Sequence, residues 1–369
     1  MPIETPLLQE HEKAGAKLSV YFDCLLPESF GDPVAEYHFA REGVALLDTN
    51  YHSVFRLSGP DRTRYLNAIL TNNIQELGPG QWNSSLLLTP QGHILAEIDV
   101  LASAGSLCAI SHKAVRTRTA QTLEKFIIMD DVELKDATDS FASLSLIGPK
   151  SADIIHTLGF SDPFVAATNA YAEATLGGLH VLLVRRQIAD LPQFEIFFER
   201  KSALELWRLI RAAVSDQGGR PCGYEAWNSL RLEAGIPWFG YDFDDKYIPH
   251  EAGLENTHIS FSKGCYTGQE IVERVRSHGH VNRLRVGLEF AGREVPESGA
   301  VLLANEKELG TVTSAANSYL LGKPIGMGYV RRESASPGTL LQWARGKARV
   351  IELPLSTRDS TSADLLPTN

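Results

Sequence analysis

Two stretches of the chain repeat one pattern of apolar and polar positions, namely a strand, a tight turn and a helix. Residues 54–58 resemble a strand, and after a Gly-Pro turn residues 62–70 place apolar side chains at helical spacing. Residues 144–147 and 151–158 repeat the pattern around a second Gly-Pro turn. Neither turn suits a phosphate loop, because proline removes a backbone N–H that would face the anion. The repeat predicts two related α+β halves.

The rest of the pattern completes the expected order of elements. Residues 84–88 and 94–101 predict a β-hairpin, and residues 115–126 and 202–214 predict helices. The first 32 residues lack a clear period and predict an arm with at most one short helix. Closely spaced strands without a helix then predict a small β-barrel or sandwich, at residues 284–290, 300–303, 308–314, 325–330 and 339–353.

Composition and charge limit the class of protein. The 369 residues carry a formal net charge of −10, which disfavours binding to nucleic acid or to anionic lipid. No apolar run is long enough to cross a bilayer, and no secretory signal is visible at the N-terminus. The four cysteines lie far apart, which excludes a local zinc knuckle and argues against a disulfide scaffold. We therefore expect a cytoplasmic protein with no bound metal and with neither nucleic acid nor a membrane as its partner.

The densest group of chemically active residues is KGCYTGQE, at 263–270. Thr267 followed by Glu270 predicts a capping box at the start of a helix. The positive end of that helix and the Lys263 ammonium both favour the thiolate of Cys265. Cys265 is therefore the candidate reactive residue, with Lys263 beside it. The alternative is a small buried cysteine with a structural role.

The segment that begins with this motif is basic. Residues 263–285 contain five Lys or Arg against two Glu, a local charge of 5 − 2 = +3 in an acidic protein. Such a segment suits a small polyanion, for example a polyglutamate tail or a phosphate, with a solvated surface as the alternative. It lacks the interleaved aromatic residues of a single-strand binder, so nucleic acid is the least favoured ligand. The cations are Lys263, Arg274, Arg276, Arg283 and Arg285.

Two other segments contain candidate binding residues. Arg231 and Glu233 lie in LRLEAG (230–235), where an ion pair and a functional site are the two interpretations. Glu195 lies among apolar and aromatic residues in FEIF (194–197), where its carboxylate suits the N–H donors of a flat heterocycle. Strands often alternate in this way, so the second pattern is weak when taken alone.

Five segments point to one family when they are taken together: KGCYTGQE (263–270), LRLEAG (230–235), GYD (240–242), IPHEAGL (248–254) and GTVTSAANS (310–318). They resemble the YgfZ family, whose members are folate-binding proteins of iron–sulfur cluster biogenesis and are related in fold to GcvT, the aminomethyltransferase of glycine cleavage. The first segment is highly specific, whereas LRLEAG and the terminal β-region are shared by the wider superfamily. The resemblance covers residues 33–355.

The resemblance implies an α+β, GcvT-like folate-binding fold. Two intertwined α+β domains and a C-terminal β-barrel would surround a central hole in which tetrahydrofolate binds. The implied boundaries are an N-terminal arm (1–32), a folate-binding region (33–282, with halves 33–140 and 141–282), a barrel (283–355) and a flexible tail (356–369).

The resemblance also implies which residues bind folate. Glu195 matches the acidic residue that holds the pterin, although the Gly-Tyr-Thr-Gly stretch expected before it is replaced by residues 188–192. The other residues that we assign to tetrahydrofolate come from LRLEAG, the cysteine motif and the basic segment, and are Arg231, Glu233, Tyr266, Gln269, Glu270, Arg274 and Arg283.

One departure from the aminomethyltransferases decides the expected function. Their hairpin carries paired aspartates where this chain has Ala96 and Glu97, so the obvious carboxylate for activating folate N5 is lost. We therefore expect a folate-dependent factor that assembles or repairs iron–sulfur clusters in client enzymes, such as radical-SAM tRNA-modifying enzymes, through Cys265. A single cysteine cannot hold a cluster, so Cys265 must share the task with ligands of a client or assembly protein, act with folate, or carry out redox chemistry on a protein with a damaged cluster.

Two alternatives remain open. One is an aminomethyltransferase in which Glu97 replaces the aspartate, which the sequence disfavours. The other is a scaffold with the folate-binding fold, in which Cys265 is only structural. A flavin-linked amine oxidase is disfavoured, because no G-x-G-x-x-G motif follows a strand.

Overall fold

The computed structural model describes residues 1–160, 164, 167 and 169–355 of the chain. The residues group into two compact units, each assembled from separate stretches of sequence. The tail expected at 356–369 lies outside the described residues. The first unit comprises Met1–Thr89, Leu95–Ala226 and Thr257–Thr267, and the second comprises Pro90–Ile94, Trp227–Asn256 and the chain from Gly268 on.

The helices are short, and the last four described follow one another without an intervening strand, from Tyr224–Glu233 to Gln269–His278. Those predicted at 62–70, 115–126, 151–158 and 202–214 are confirmed, with their ends moved by one or two residues. None of the helices in the described ranges is both long and apolar enough to cross a membrane. The α-helices in those ranges are Leu8–Lys13, Pro33–Glu42, Arg62–Ile69, Arg116–Lys125, Ser151–Thr157, Ala203–Asp216, Tyr224–Glu233, Pro249–Ala252, Glu255–His258 and Gln269–His278.

Two sheets dominate the first unit. The five-stranded sheet has the order Gln81–Leu88, Ile94–Ala102, Leu107–His112, His52–Ser58 and Glu133–Asp136. The six-stranded sheet has the order Tyr171–Leu176, Leu179–Ile188, Leu191–Glu199, Phe141–Ile147, Ala45–Asp48 and Arg220–Pro221. The predicted hairpin at 84–88 and 94–101 forms two neighbouring strands of the first of these sheets.

The N-terminal residues have more regular structure than their sequence pattern predicts. A helix at Leu8–Lys13 is joined by a three-stranded sheet of Ile3–Glu4, Cys24–Ser29 and Lys17–Tyr21. Leu26 is fully buried, so this segment packs as part of the first unit. The pattern missed these strands because they are short and their polar residues do not alternate regularly.

The two Gly-Pro turns are structural, as predicted. Gly59 and Gly148 both have positive φ, at 96° and 117°, a region that residues with a side chain rarely adopt. A Cβ on Gly59 would lie 2.2 Å from the Asp131 carbonyl oxygen, and one on Gly148 would lie 2.4 Å from that of Ala40. Only glycine fits at these two turns, because neighbouring backbone lies where the Cβ of any other residue would stand.

A closed six-stranded barrel is the main element of the second unit. Its apolar interior includes Leu288, Phe290, Val312 and Val330, which alternate with polar positions along their strands. This confirms the predicted α+β fold with a C-terminal barrel. The strand order is Arg283–Phe290, Lys323–Arg331, Lys307–Ser318, Val301–Ala304, Leu340–Trp343 and Gly346–Ile351.

Candidate active site in the first unit

The strand Ile94–Ala102 places two carboxylates on one face. Glu97 and Asp99 are partly exposed, while Ala96, Ile98 and Val100 alternate with them and are buried in the core of the first unit. Since side chains of a strand point alternately to opposite faces, burial of the apolar set forces both carboxylates onto the other face. Glu97 is thus held on a rigid element.

Arg186 joins one of these carboxylates to the Glu195 predicted from the sequence. Its Nη2 donates to Asp99 Oδ2 at 2.7 Å, and its Nε donates to Glu195 Oε2 at 2.8 Å. The guanidinium carbon also lies 4.5 Å from the centre of the Trp82 ring, which is a cation–π contact. The cation therefore holds two carboxylates from two different strands.

Burial and charge set the protonation states around Glu195. Burial raises the pKa of Glu195, and the Arg186 guanidinium opposes that rise. Burial also lowers the pKa of His52 well below its ordinary value, so this imidazole is neutral at neutral pH. His52 Nδ1 lies 3.3 Å from Glu195 Oε1. Glu195 is thus a buried carboxylate contacted by one cation and one neutral imidazole.

Two histidines contact Glu97. Its Oε1 lies 3.0 Å from His258 Nε2, and its Oε2 lies 3.5 Å from His112 Nε2. Burial by itself would raise the pKa of Glu97, but hydrogen bonds from His112 and His258 outweigh it and hold the pKa well below the ordinary value. Glu97 is therefore an ionised carboxylate at neutral pH.

Aromatic side chains lie beside these polar groups. Tyr51 stacks on Phe22 with ring centres 4.3 Å apart, and on His112 with ring centres 5.3 Å apart. Burial raises the pKa of Tyr51 well above its ordinary value, so the phenol stays neutral. Carboxylates that accept from N–H groups, next to flat aromatic faces, fit the chemistry of a pterin. In the described part of the chain, no group of three His, Cys, Asp or Glu side chains is placed to hold a metal ion.

Lys263 is held by backbone of the first unit. Its Nζ donates to the carbonyl oxygens of Asn67, Leu70 and Asn72, at 2.5, 2.6 and 3.0 Å. Burial lowers the pKa of Lys263 to about 8. These carbonyls take up all three N–H donors of the ammonium. Lys263 therefore clamps the segment that carries it.

The cysteine motif crosses the boundary between the two units. Its residues up to Thr267 belong to the first unit, and those from Gly268 on belong to the second. Cys265 is exposed, whereas Tyr266 is buried with its ring centre 5.1 Å from Lys263 Nζ. The predictions that Cys265 is a reactive residue and that Tyr266 binds folate stay predictions.

The predicted capping box at Thr267 and Glu270 is wrong. The helix Gln269–His278 has Gly268 as its N-cap residue, with φ of 82° and no side-chain hydrogen bond to the cap. Glycine takes this left-handed conformation without strain, so the chain enters the helix one residue later than the motif suggests. Glu270 and Arg274 are exposed on this helix.

The predicted residues of the second unit are engaged inside it. Arg231 is buried and donates to the Asp242 carboxylate, which confirms the ion-pair interpretation for this arginine. Glu233 Oε1 accepts from Ser318 Oγ at 2.6 Å. Arg283 Nε donates to Glu251 Oε1 at 2.9 Å, so part of the basic segment is neutralised locally. These contacts fix the barrel to the residues that precede it.

Sequence reasoning missed most of the partners of Glu97 and Glu195. No motif links these partners, which come from four separate strands and the end of a short helix: His52, Asp99, His112, Arg186 and His258. One available signal was the pair of polar residues that alternates with apolar ones in strand 94–102. Another was a charged pair, Arg185 and Arg186, within an otherwise apolar stretch.

The comparisons with known proteins agree with the observed fold. Residues 7–263 match the GCVT N-terminal domain, and residues 283–356 match the glycine cleavage T-protein C-terminal barrel domain. The chain belongs to the glycine cleavage T-protein family. That family uses tetrahydrofolate, as the sequence predicted.

Relatives and a solved structure extend over nearly the whole chain. An aminomethyltransferase of Halothermothrix orenii is 29% identical over 95% of this chain and 99% of its own, and one of Streptomyces coelicolor is 30% identical over 91% of each. The crystal structure of glycine cleavage system aminomethyltransferase T from Bartonella henselae matches the fold with a TM-score of 0.87 and 24% identity, over 97% of this chain and 99% of the other.

These findings correct the predicted function. Relatives named aminomethyltransferase over almost the full length contradict an iron–sulfur assembly or repair role, and they contradict the expectation that aminomethyltransferase activity is absent. The prediction gave one eight-residue motif more weight than the rest of the chain. It also treated the missing aspartate as a missing carboxylate, whereas Glu97 supplies an ionised carboxylate from the same hairpin.

Proposed function

We propose that this protein is a folate-dependent one-carbon transfer enzyme of the aminomethyltransferase type, with Glu97 as the carboxylate that assists the transfer. The observation that carries the proposal is the position of the Glu97 carboxylate between the imidazoles of His112 and His258, whose hydrogen bonds keep its pKa low. A general base must be deprotonated at working pH and held on a rigid element, and Glu97 meets both conditions.

The reaction requires a base but no net oxidation. N5 and N10 of tetrahydrofolate each lose a proton as they bond to the methylene carbon, while the C–S and C–N bonds of an aminomethyl-lipoyl group break and the protons pass to the thiol and to ammonia. Within the protein, we assign the acceptance of the N5 proton to Glu97. The ring N–H and amino groups of the pterin are assigned to Glu195, whose carboxylate Arg186 and His52 hold in place.

The KGCYTGQE segment supports a finer placement within the family. Because of this segment, we propose that the chain descends from the YgfZ branch of the family. This proposal concerns descent and not function. Arg274 is exposed next to the motif, and its predicted role in binding folate stays a prediction.

Turnover by the purified protein tests the proposed function. The assay supplies an aminomethyl-lipoyl carrier protein and tetrahydrofolate, and measures ammonia and methylene-tetrahydrofolate together. Oxidised folic acid, which lacks the N5–H, serves as the matched control substrate. We expect equal amounts of both products with tetrahydrofolate and neither with folic acid. Ammonia at the same rate with both folates, or no product with either, would contradict the proposal.

A further inference from the structure

The segment that brings His258 to Glu97 is anchored at several points in the first unit. Thr71 Oγ1 donates to the His258 carbonyl oxygen at 2.7 Å, and Ser260 N donates to the Thr71 carbonyl oxygen at 3.1 Å. Lys263 adds its contacts to the carbonyls at the end of helix Arg62–Ile69. The backbone at His258 and in the residues that follow it is therefore held by the first unit.

Both ring nitrogens of His258 have hydrogen-bond partners. Thr257 Oγ1 lies 2.7 Å from Nδ1, and Glu97 Oε1 lies 3.0 Å from Nε2. A neutral imidazole that accepts from the Thr257 hydroxyl at Nδ1 must carry its proton on Nε2, which points to Glu97. With Thr257 as the donor at Nδ1, the neutral ring donates to the carboxylate from Nε2, and a protonated ring donates to it as well.

Other charged and titratable groups face the same carboxylate or its partners. His112 contacts Glu97 Oε2, and Tyr51 and His52 lie beside His112 with ring centres 5.3 and 6.3 Å away. Asp99, two residues along the strand, is already paired with Arg186. Each carboxylate oxygen of Glu97 therefore has one histidine within reach, at 3.0 Å for His258 and 3.5 Å for His112.

We propose that His258 is a positioning residue for the transfer reaction, which holds the Glu97 carboxylate turned towards its substrate, and that Thr257 sets its tautomer. This inference rests on the proposed function. The contact of Glu97 with His258 is shorter than its contact with His112. Loss of the His258 ring therefore frees one oxygen of the Glu97 carboxylate and leaves only the longer contact with His112.

The test compares three variants of the full-length protein with a matched control. His258→Leu removes the contact, His258→Gln places an amide N–H near the former Nε2, and Thr257→Val removes the hydroxyl. His180→Leu is the control, because His180 is exposed and pairs with Glu173 in another part of the first unit. Two quantities are measured, namely the pKa of the Glu97 carboxylate by carbon-13 NMR and the steady-state kcat and KM for tetrahydrofolate.

We expect His258→Leu to raise the pKa of Glu97 by about one unit and to lower kcat about ten-fold or more, with KM changed less. His258→Gln should restore much of both, Thr257→Val should give an intermediate loss, and His180→Leu should match the wild type. If His258→Leu fails to fold, His258→Gln and Thr257→Val decide the question by the same two readouts.

Failure of this inference is distinct from failure of the proposed function. An active wild type, with a Glu97 pKa and kcat in His258→Leu equal to those of the control, overturns the positioning role alone. An inactive wild type overturns the proposed function, and the NMR titration then decides the role of His258: an unchanged Glu97 pKa overturns that role, and a raised pKa supports it.

Discussion

Arg186 and Glu195 form a buried ion pair across two neighbouring antiparallel strands, with Arg186 Nε donating to Glu195 Oε2 at 2.8 Å. Glu195 is only 2% exposed, so neither its charge nor that of its partner is well solvated. Breaking one side of such a pair leaves an uncompensated charge, which costs more than the pair itself contributes. The pair therefore links the stability of the first unit to the carboxylate that we assign to the pterin.

Replacing Glu195 should destabilise the fold as well as weaken folate binding. We expect Glu195→Ala to lower the free energy of unfolding by about 3 kcal/mol, because Arg186 keeps only Asp99 as an ionic partner. Chemical denaturation measures this change, and calorimetry of tetrahydrofolate binding measures the second effect. Glu199→Ala is the control, since Glu199 ends the same strand exposed and beside Lys201. An equal free energy of unfolding in the two variants would show that the buried ion pair contributes no more to stability than the exposed one.

Removing the Lys263 ammonium should loosen the segment that carries His258. Lys263→Met keeps the length of the side chain but leaves three carbonyl oxygens without their donor, at an expected cost of about 1–3 kcal/mol. Hydrogen exchange of the Ser260 amide, which bonds to Thr71, should become faster. Lys201→Met at an exposed position is the control. Unchanged exchange at Ser260 would argue against the clamp.

The contribution of Glu97 to stability should depend on pH in the acid range. Its pKa in the folded protein lies below that of an unfolded glutamate, so the ionised form stabilises the fold above about pH 4.3, and this contribution is lost as the pH falls. We expect Glu97→Gln to be less stable than the wild type near pH 7, by a margin that shrinks as the pH falls below about 4.3 and is smaller at about pH 3. A stability difference that stays constant over this range would contradict the ionised state.

How much the sequence reveals differs between the fold and the site. Strands and helices with clear periods, such as Arg62–Ile69 and the barrel strands, follow from local pattern because one face of each is buried. The site depends on side chains that come together only in the folded chain. Arg186 is 87 residues from Asp99, and His258 is 161 residues from Glu97. No local spacing encodes such contacts, whereas Glu195 could be inferred because its apolar strand surrounds one acidic residue.

The four cysteines should differ sharply in reactivity. Cys265 is exposed, while Cys24, Cys108 and Cys222 are buried, and burial raises the pKa of Cys24 to about 11 and of Cys108 to about 12. Brief treatment of the native protein with iodoacetamide should therefore label Cys265 alone, as read by mass spectrometry of peptides. The predicted low pKa of Cys265 stays a prediction that the pH dependence of this labelling tests. Equal labelling of all four cysteines would contradict the burial.

Cys265 should not be needed for one-carbon transfer. Our assignment places the transfer chemistry on Glu97, so Cys265→Ser should keep aminomethyltransferase turnover within about two-fold of the wild type, far from the loss expected for a catalytic group. A loss of turnover in Cys265→Ser as large as that in Glu97→Gln would mean that the thiol takes part in the reaction.

The most direct test of the central claim is the turnover number of Glu97→Gln in the aminomethyl transfer assay. Glutamine keeps the size of the side chain but cannot accept the N5 proton, so kcat should fall about 100-fold or more, while Glu97→Asp should retain more activity than Glu97→Gln. Glu173→Gln, at an exposed position of the first unit, should behave like the wild type. An active wild type whose kcat is unchanged in Glu97→Gln would contradict the account.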